Sequence, residues 1–250
     1  MIVSHGALGS DPLAVGLIAA LEEEIKPLLE RLRVLETEDW LRRTYYRGTL
    51  EGQDVVLATT GVGKVRAASR TQLLIDRFSI DKLVFIGIAG GINPELKPGD
   101  IIICERAMQH DFNVGGGECV ERRRSYWYEA DKELVNMALL AASRSGLAQS
   151  VRLGSILTGD QGINDSSKKD HLWHTFGGDC VEMEGAAVAM VCWMNQIPFL
   201  LIRAISDLAD SNALVDVQKW LEVASCRLSQ LVLEMLRQMT LSSAVGGEAR

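Results

Sequence analysis

The chain has 250 residues, 47% of them hydrophobic and 24% charged, with a formal net charge of -7. That composition is of the ordinary globular kind and long enough to bury one large core. The acidic balance and the lack of a basic stripe argue against a nucleic-acid backbone as the main partner.

In chain order, "AVGLIAA" (14–20) reads as a buried strand and "EEEIKPLLERL" (22–32) as the helix after it, with Pro27 tolerated in its first turn. The stretch "YYRGTLEGQDVVLATT" (45–60) reads as a hairpin closed at Glu51-Gly52, so part of the sheet is antiparallel. "KVRAASRTQLLIDRF" (64–78) spaces its apolar positions three and four apart and predicts a helix. "KLVFIGIAGG" (82–91) is a strand ending in glycines, "GDIIICERA" (99–107) a strand after a Pro-Gly turn, and "DKELVNMALLAASRSG" (131–146) a helix with a glycine stop. After the strand "VRLGSILTG" (151–159) comes a polar loop. "MEGAAVAMVCWMNQ" (183–196) then predicts a helix, "IPFLLIRAIS" (197–206) the last strand, and Val215 to Met239 the C-terminal helix. Apolar strands alternating with helices indicate an α/β fold with a mostly parallel sheet covered on both sides. Residues 14–240 are expected to form one domain, and 1–13 and 241–250, which carry no period, mobile ends.

The N-terminus lacks a basic segment followed by an apolar stretch, and no uncharged apolar run reaches bilayer length, so no membrane partner is expected. The five cysteines, Cys104, Cys119, Cys180, Cys192 and Cys226, have no CxxC spacing and an odd count, which points to reduced thiols and a cytoplasmic protein.

In open α/β sheets ligands bind beyond the carboxyl ends of strands. Arg203, Ser206, Asp207 and Asp210 lie at or just past such an end, too far from the next helix for Asp207 to be its cap. Glu22, Glu23 and Glu24 follow the first strand, where a helix dipole would welcome them anyway. Glu182 and Glu184 stand beside another helix start, with the same dual reading. The glycines of "GIAGG" suit a tight turn or a close backbone approach. "TGVGKV" lacks P-loop spacing and "GIAGG" is not G-x-G-x-x-G, which leaves no cofactor motif. His171 and His174 have no metal-type companions and "DQGINDSS" lacks the EF-hand oxygen pattern, so no metal is expected.

The collinear motifs "GLIAALEEE", "TTGVGKVRAA", "GIAGGINPELKPGDIII", "HDFNV", "TGDQGIND", "VEMEGAAVA" and "IRAISDLAD" resemble those of the 5'-methylthioadenosine/S-adenosylhomocysteine nucleosidases, members of the nucleoside phosphorylase superfamily. The resemblance implies a three-layer α/β/α sandwich with a central twisted mixed sheet, a homodimer, and a small-molecule nucleoside substrate hydrolysed at its N-glycosidic bond. It implies that Asp207 protonates purine N7, Glu24 activates water and Glu184 holds the ribose hydroxyls. Met183 would pack beneath the sugar, Arg203 and Ser206 would orient the aspartate and its loop, and the Ile163 backbone would read the adenine edge. Ala89 and Gly90 of the glycine stretch would border the substrate.

The chemistry asks for these residue types on its own account. Glycosidic C–N cleavage builds positive charge on the sugar and expels a purine that leaves poorly as an anion. An acid must therefore protonate the base while a carboxylate steadies the sugar. Asp207 suits the acid role if burial or a neighbouring carboxylate raises its pKa. An aspartate there also accepts from an exocyclic amine and so favours adenine over a 6-oxopurine. "LEEE" after the first strand would repel phosphate and favour water.

Three departures bear on the substrate. Gly162 stands where the similar nucleosidases carry a stacking aromatic, Ile88 where they carry serine, and "GGGECVERRRSYW" replaces the loop bordering the 5' substituent. Arg122, Arg123 and Arg124 read as a solvated turn, with an anionic 5' group as the alternative occupant, and Trp127 is a candidate replacement for the aromatic wall. The rival readings are a nucleosidase for another 5'-modified adenosine, of futalosine or adenosyl-hopanoid type, then a phosphorylase, then a non-catalytic nucleoside sensor.

Overall fold

The computed structural model describes residues 13–112, 126–211 and 213–247. Cys119, the Arg122 to Arg124 run and most of the ends expected to be mobile lie outside the described residues.

Ten strands form one sheet: β1 (Ala14–Ala19), β2 (Arg33–Trp40), β3 (Arg43–Leu50), β4 (Gln53–Thr59), β5 (Ile80–Gly91), β6 (Ile101–Gln109), β7 (Tyr128–Glu129), β8 (Val151–Thr158), β9 (Cys180–Glu182) and β10 (Phe199–Asp207). The order runs β10-β6-β8-β9-β5-β1-β4-β3-β2, and β10 pairs with β5 as well. That extra pairing closes β5, β10, β6, β8 and β9 into a ring, while β1 to β4 extend from it as an open sheet. β1 pairs in parallel with β4 and β5, and β5 with β10, so their carboxyl ends point the same way. The sheet is mixed rather than mostly parallel, because β2, β3 and β4 form an antiparallel meander and β10 meets β6 antiparallel. The turn between β3 and β4 has Glu51 and Gly52 both at positive φ, 50° and 82°, the hairpin geometry that Glu-Gly promised.

The helices are α1 (Glu22–Leu29), α2 (Lys64–Arg77), α3 (Lys132–Arg144), α4 (Ser166–Phe176), α5 (Gly185–Asn195) and α6 (Ala213–Gly247). α1, α3 and α6 pack together on one side of the sheet and α2 with α5 on the other. α3 shows how the local code works. The Asp131 carboxylate caps it by accepting from Leu134 N at 3.0 Å, Leu134, Ala138, Ala141 and Ala142 face the core, and Gly146 ends it at φ 73°. Pro27 falls in the second turn of α1, not the first, and that helix is correspondingly short.

Three elements are additions to the sequence expectation. α4 and β9 occupy the stretch read as a polar loop, and β2 precedes the expected hairpin. Only Leu172 of α4 is buried and no residue of β2 is, so neither presents an apolar face to read. α6 continues to Gly247, past Met239. Among the described residues no helix is long and apolar enough to cross a membrane.

Candidate active site

The carboxyl ends of β1, β4, β5, β8, β9 and β10 surround one cavity of about 270 Å³. Eight of the nine residues singled out from the sequence line it: Glu24, Ala89, Gly90, Ile163, Met183, Glu184, Ser206 and Asp207. Segments from all along the chain thus meet where a doubly covered sheet usually binds its ligand.

Of the three successive glutamates, Glu22 and Glu23 are exposed and Glu24 is buried. It is the third residue of α1, and its Oε2 reaches back to accept from Ala20 N at 3.0 Å and Leu21 N at 2.8 Å. Its Oε1 accepts from Ile88 N on β5 at 3.0 Å. Burial raises its pKa, opposed by these three N–H donors and by Arg203. A carboxylate accepts about four hydrogen bonds, so these three leave capacity for one more. The chain can approach this closely because residue 87 is glycine: a Cβ there would stand 3.0 Å from Glu24 Oε1.

Asp207 ends β10 at a bulge. The register with β5 shifts between Ile205 and Asp207, pairing Ile205 with Ala89 and Asp207 with Gly90, and Ser206 is the extra residue. Asp207 Oδ2 accepts from Ser206 Oγ at 2.7 Å and Oδ1 from Ala209 N at 2.8 Å. Ser206 Oγ also lies 3.3 Å from the Ala89 carbonyl oxygen. Burial raises the Asp207 pKa, with Asp210 and Asp216 adding to the rise. That is the direction an acid needs. Gly90 makes room, since a Cβ there would fall 3.0 Å from Asp207 Oδ1.

Glu184 stands at the start of α5, and its Oε1 accepts from Gly63 N at 2.6 Å. Burial, then the charge of Glu182, pushes its pKa up to about 8. Glu182, by contrast, is saturated. It accepts from Gly185 N at 2.9 and 2.7 Å, from Glu184 N at 3.2 Å and from the Thr158 hydroxyl, so it caps α5. Arg203 completes that anchor.

Arg203 is the one of the nine that stands back from the cavity. It is 1% exposed and does not line the cavity. Its guanidinium pairs with Glu182 Oε2 at 2.8 Å, donates to the Phe85 and Ile202 carbonyls and lies over the Phe85 ring. A buried cation is drawn to the nearest buried anion, and here that is Glu182 rather than Asp207.

Leu21, Val62, Ala213 and Val217 also line the cavity, and sequence reasoning missed them. Single apolar residues at element ends look the same whether they face a core or a ligand. Val62 and Leu21 could have been found only through the strand ends they follow. Gly162 lines the wall with nothing within 4 Å of a Cβ built there. Trp127 is not among the residues lining the cavity: it packs on the cluster containing Ile163 and Val181, with the Arg106 guanidinium over its ring.

No lysine, arginine or histidine among the described residues lines the cavity. Four carboxyl groups, those of Glu24, Glu182, Glu184 and Asp207, converge there, which equips the site to steady a cationic sugar and exchange protons, and the described lining offers a phosphate no cationic partner.

The chain matches the phosphorylase superfamily over residues 14–237. It is 34% identical to a 5'-methylthioadenosine/S-adenosylhomocysteine nucleosidase from Tolumonas auensis, over 91% of this chain and all of the relative. The structure is similar to that of the Neisseria meningitidis nucleosidase of the same name in complex with methylthio-immucillin-A, with TM-score 0.82, 31% identity, and 90% of this chain and 99% of that one covered. It is similar too to a futalosine hydrolase of Helicobacter pylori, with TM-score 0.82, 27% identity, and 90% and 98% covered.

Proposed function

We propose, from the premise that the chain belongs to the 5'-methylthioadenosine/S-adenosylhomocysteine nucleosidases of the phosphorylase superfamily, that it hydrolyses the N-glycosidic bond of a 5'-thio-substituted adenosine. The products are adenine and the 5'-substituted ribose. The observation that carries the reading is the convergence of Glu24, Glu184 and Asp207 on one cavity with no cationic side chain among its described lining residues.

Asp207 delivers a proton to purine N7, and the bulge at Ser206 aims it. Glu24 takes a proton from the attacking water through its remaining lone pair. Glu184 accepts from the ribose hydroxyls and steadies the cationic sugar, beneath which Met183 packs. The backbone of Ile163 meets the adenine edge, and Ala89 and Gly90 form the floor between Asp207 and Glu24. Arg203 acts through Glu182, which fixes the start of α5 and hence Glu184.

The protein works as a homodimer. α2 and α5 lie side by side, and Val65, Trp193 and Met194 on them are 79%, 66% and 61% exposed, an apolar face that a second copy would cover. The free thiols Cys104, Cys180, Cys192 and Cys226 suit a reducing compartment, the cytoplasm.

The test incubates the protein with 5'-methylthioadenosine or S-adenosylhomocysteine, with and without phosphate, and separates the products by chromatography. Adenine with free thioribose, at a rate indifferent to phosphate and lowered about 10²- to 10⁴-fold by Asp207→Asn, is the expected result. A sugar 1-phosphate would make the chain a phosphorylase. The second reading, a nucleosidase for another 5'-modified adenosine, draws on the resemblance to the futalosine hydrolase and would follow from the absence of adenine with both thioadenosines.

A further inference from the structure

A lysine outside the cavity ties together three loops that border it. The Lys64 ammonium meets Asp111 Oδ1 at 2.6 Å, and Asp111 Oδ2 accepts from Asp160 N at 2.9 Å. Asp160 Oδ1 in turn accepts from Lys64 N at 2.9 Å. The circuit closes on itself and joins the turn after β4, the end of β6 and the turn after β8. The Lys64 and Asp111 side chains are only 17% and 21% exposed, so water screens their attraction less than at an open surface. Burial disfavours the Asp111 charge, yet hydrogen bonds from Lys64 and Asp160 hold its carboxyl below the usual range.

The neighbours of this circuit in the chain are residues of the site. Gly63, at φ 101°, gives its N–H to Glu184, the one hydrogen bond made by the Glu184 side chain among the described residues. Asp160 precedes Gly162 and Ile163 of the cavity wall.

We propose that Lys64 is a positioning residue of the active site: through Asp111 and Asp160 it sets the turn from which the Gly63 N–H holds Glu184 toward the sugar. The proposal rests on the reading that Glu184 engages the ribose. Burial first, then the charges of Glu182 and Glu24, oppose ionisation of Glu184, and the Gly63 N–H and Arg203 favour it. Releasing the Gly63 donor removes a support of the carboxylate, so the form that accepts from ribose hydroxyls needs a higher pH.

Lys64→Met removes the ammonium and keeps most of the stem, and Lys64→Arg restores a cation. With 5'-methylthioadenosine, Lys64→Met is expected to raise KM about tenfold or more, the scale of one lost charge-assisted hydrogen bond, with kcat changed less. The acid limb of kcat/KM is expected to move to higher pH, and Lys64→Arg to return both toward the wild type. Asp111→Asn is expected to act in the same direction and serves in place of Lys64→Met if that variant does not fold. A fall of equal size at every pH, with KM unmoved, overturns the proposal.

A carbon-13 titration of the glutamate carboxyls in the ligand-free protein, with Glu184 assigned by its loss in Glu184→Gln, tests the same point without substrate. An upward shift in Lys64→Met supports the proposal, and an unchanged titration overturns it. Should the wild type release no adenine from either thioadenosine while the Glu184 titration still moves, the substrate reading fails and the positioning of Glu184 by Lys64 stands.

Discussion

At the end of β1, Glu24 accepts from three backbone N–H groups, whereas at the end of β10, Asp207 accepts from one N–H and one hydroxyl. Both are buried and both have raised pKa values, so burial alone does not tell them apart. The partners do. A backbone N–H can only donate, so each of the three favours the anionic form of Glu24 and leaves only the remaining lone pair for a proton. Ser206 Oγ can donate to the Asp207 carboxylate, or accept from the protonated acid while giving its own proton to the Ala89 carbonyl. The first corner favours the anion and the second tolerates both forms, the difference expected between a base and an acid that share one cavity.

The sharpest way to break this comparison is to remove each carboxyl in turn. Asp207→Asn and Glu24→Gln should each lower adenine release by about 10² to 10⁴, the usual worth of a positioned acid or base. On a riboside whose leaving group needs no proton, Asp207→Asn should recover most of its activity and Glu24→Gln should not. Equal recovery by both would end the division of duties.

Arg203→Met leaves Glu182 buried without its counter-charge, an effect on the order of 3–5 kcal/mol of stability, read from the denaturant midpoint. Because Glu182 caps α5 and touches neither Glu24 nor Asp207 by hydrogen bond, the folded fraction should keep the contrast between the two substrates.

The glycines give a finer probe. Gly87→Ala crowds Glu24 and Gly90→Ala crowds Asp207, each by a Cβ at 3.0 Å. Displacing a catalytic group by a fraction of an ångström should cost about 10- to 100-fold in kcat. Gly90→Ala should spare the activated riboside and Gly87→Ala should not.

Ser206→Ala is expected to have the smallest effect, about fivefold in kcat/KM, the scale of one hydrogen bond. Its signature is the direction. The Ser206 hydroxyl lowers the Asp207 pKa, so its loss raises that pKa further. If Asp207 acts as the protonated acid, the alkaline limb of the pH–rate profile moves to higher pH, and a downward move would contradict that role.

Much of this was legible in the chain. The apolar runs located β1, β5 and β10, the strand ends pointed to Glu24, Gly90 and Asp207, and the motif resemblance linked them to one reaction. Asp131 and Gly146 marked the ends of α3. α4 also carried its signals, Asp165 accepting from Lys168 N and Gly177 at φ 65°, but a helix that buries only Leu172 has no periodic face to announce it. Residue type and spacing did not say which member of each acidic group is buried, and only the motif resemblance singled out Glu24 and Glu184. "EEE" and "VEME" offer five glutamates with the same local chemistry, and the structure buries Glu24, Glu182 and Glu184 and gives each different partners.

The sequence by itself determined the alternation of strands and helices, the Glu51-Gly52 hairpin and the residue types at the strand ends, because periodicity, turns and caps act over a few neighbouring residues. Only the tertiary structure decided that Ser206 would bulge, that Arg203 would serve Glu182 and that Lys64 would join three loops. Two of the carboxyls take a donor from far along the chain, Glu24 from Ile88 across 64 residues and Glu184 from Gly63 across 121. Desolvation and hydrogen bonding depend on which groups are near in space, and that proximity exists only once the sheet has brought its strand ends together.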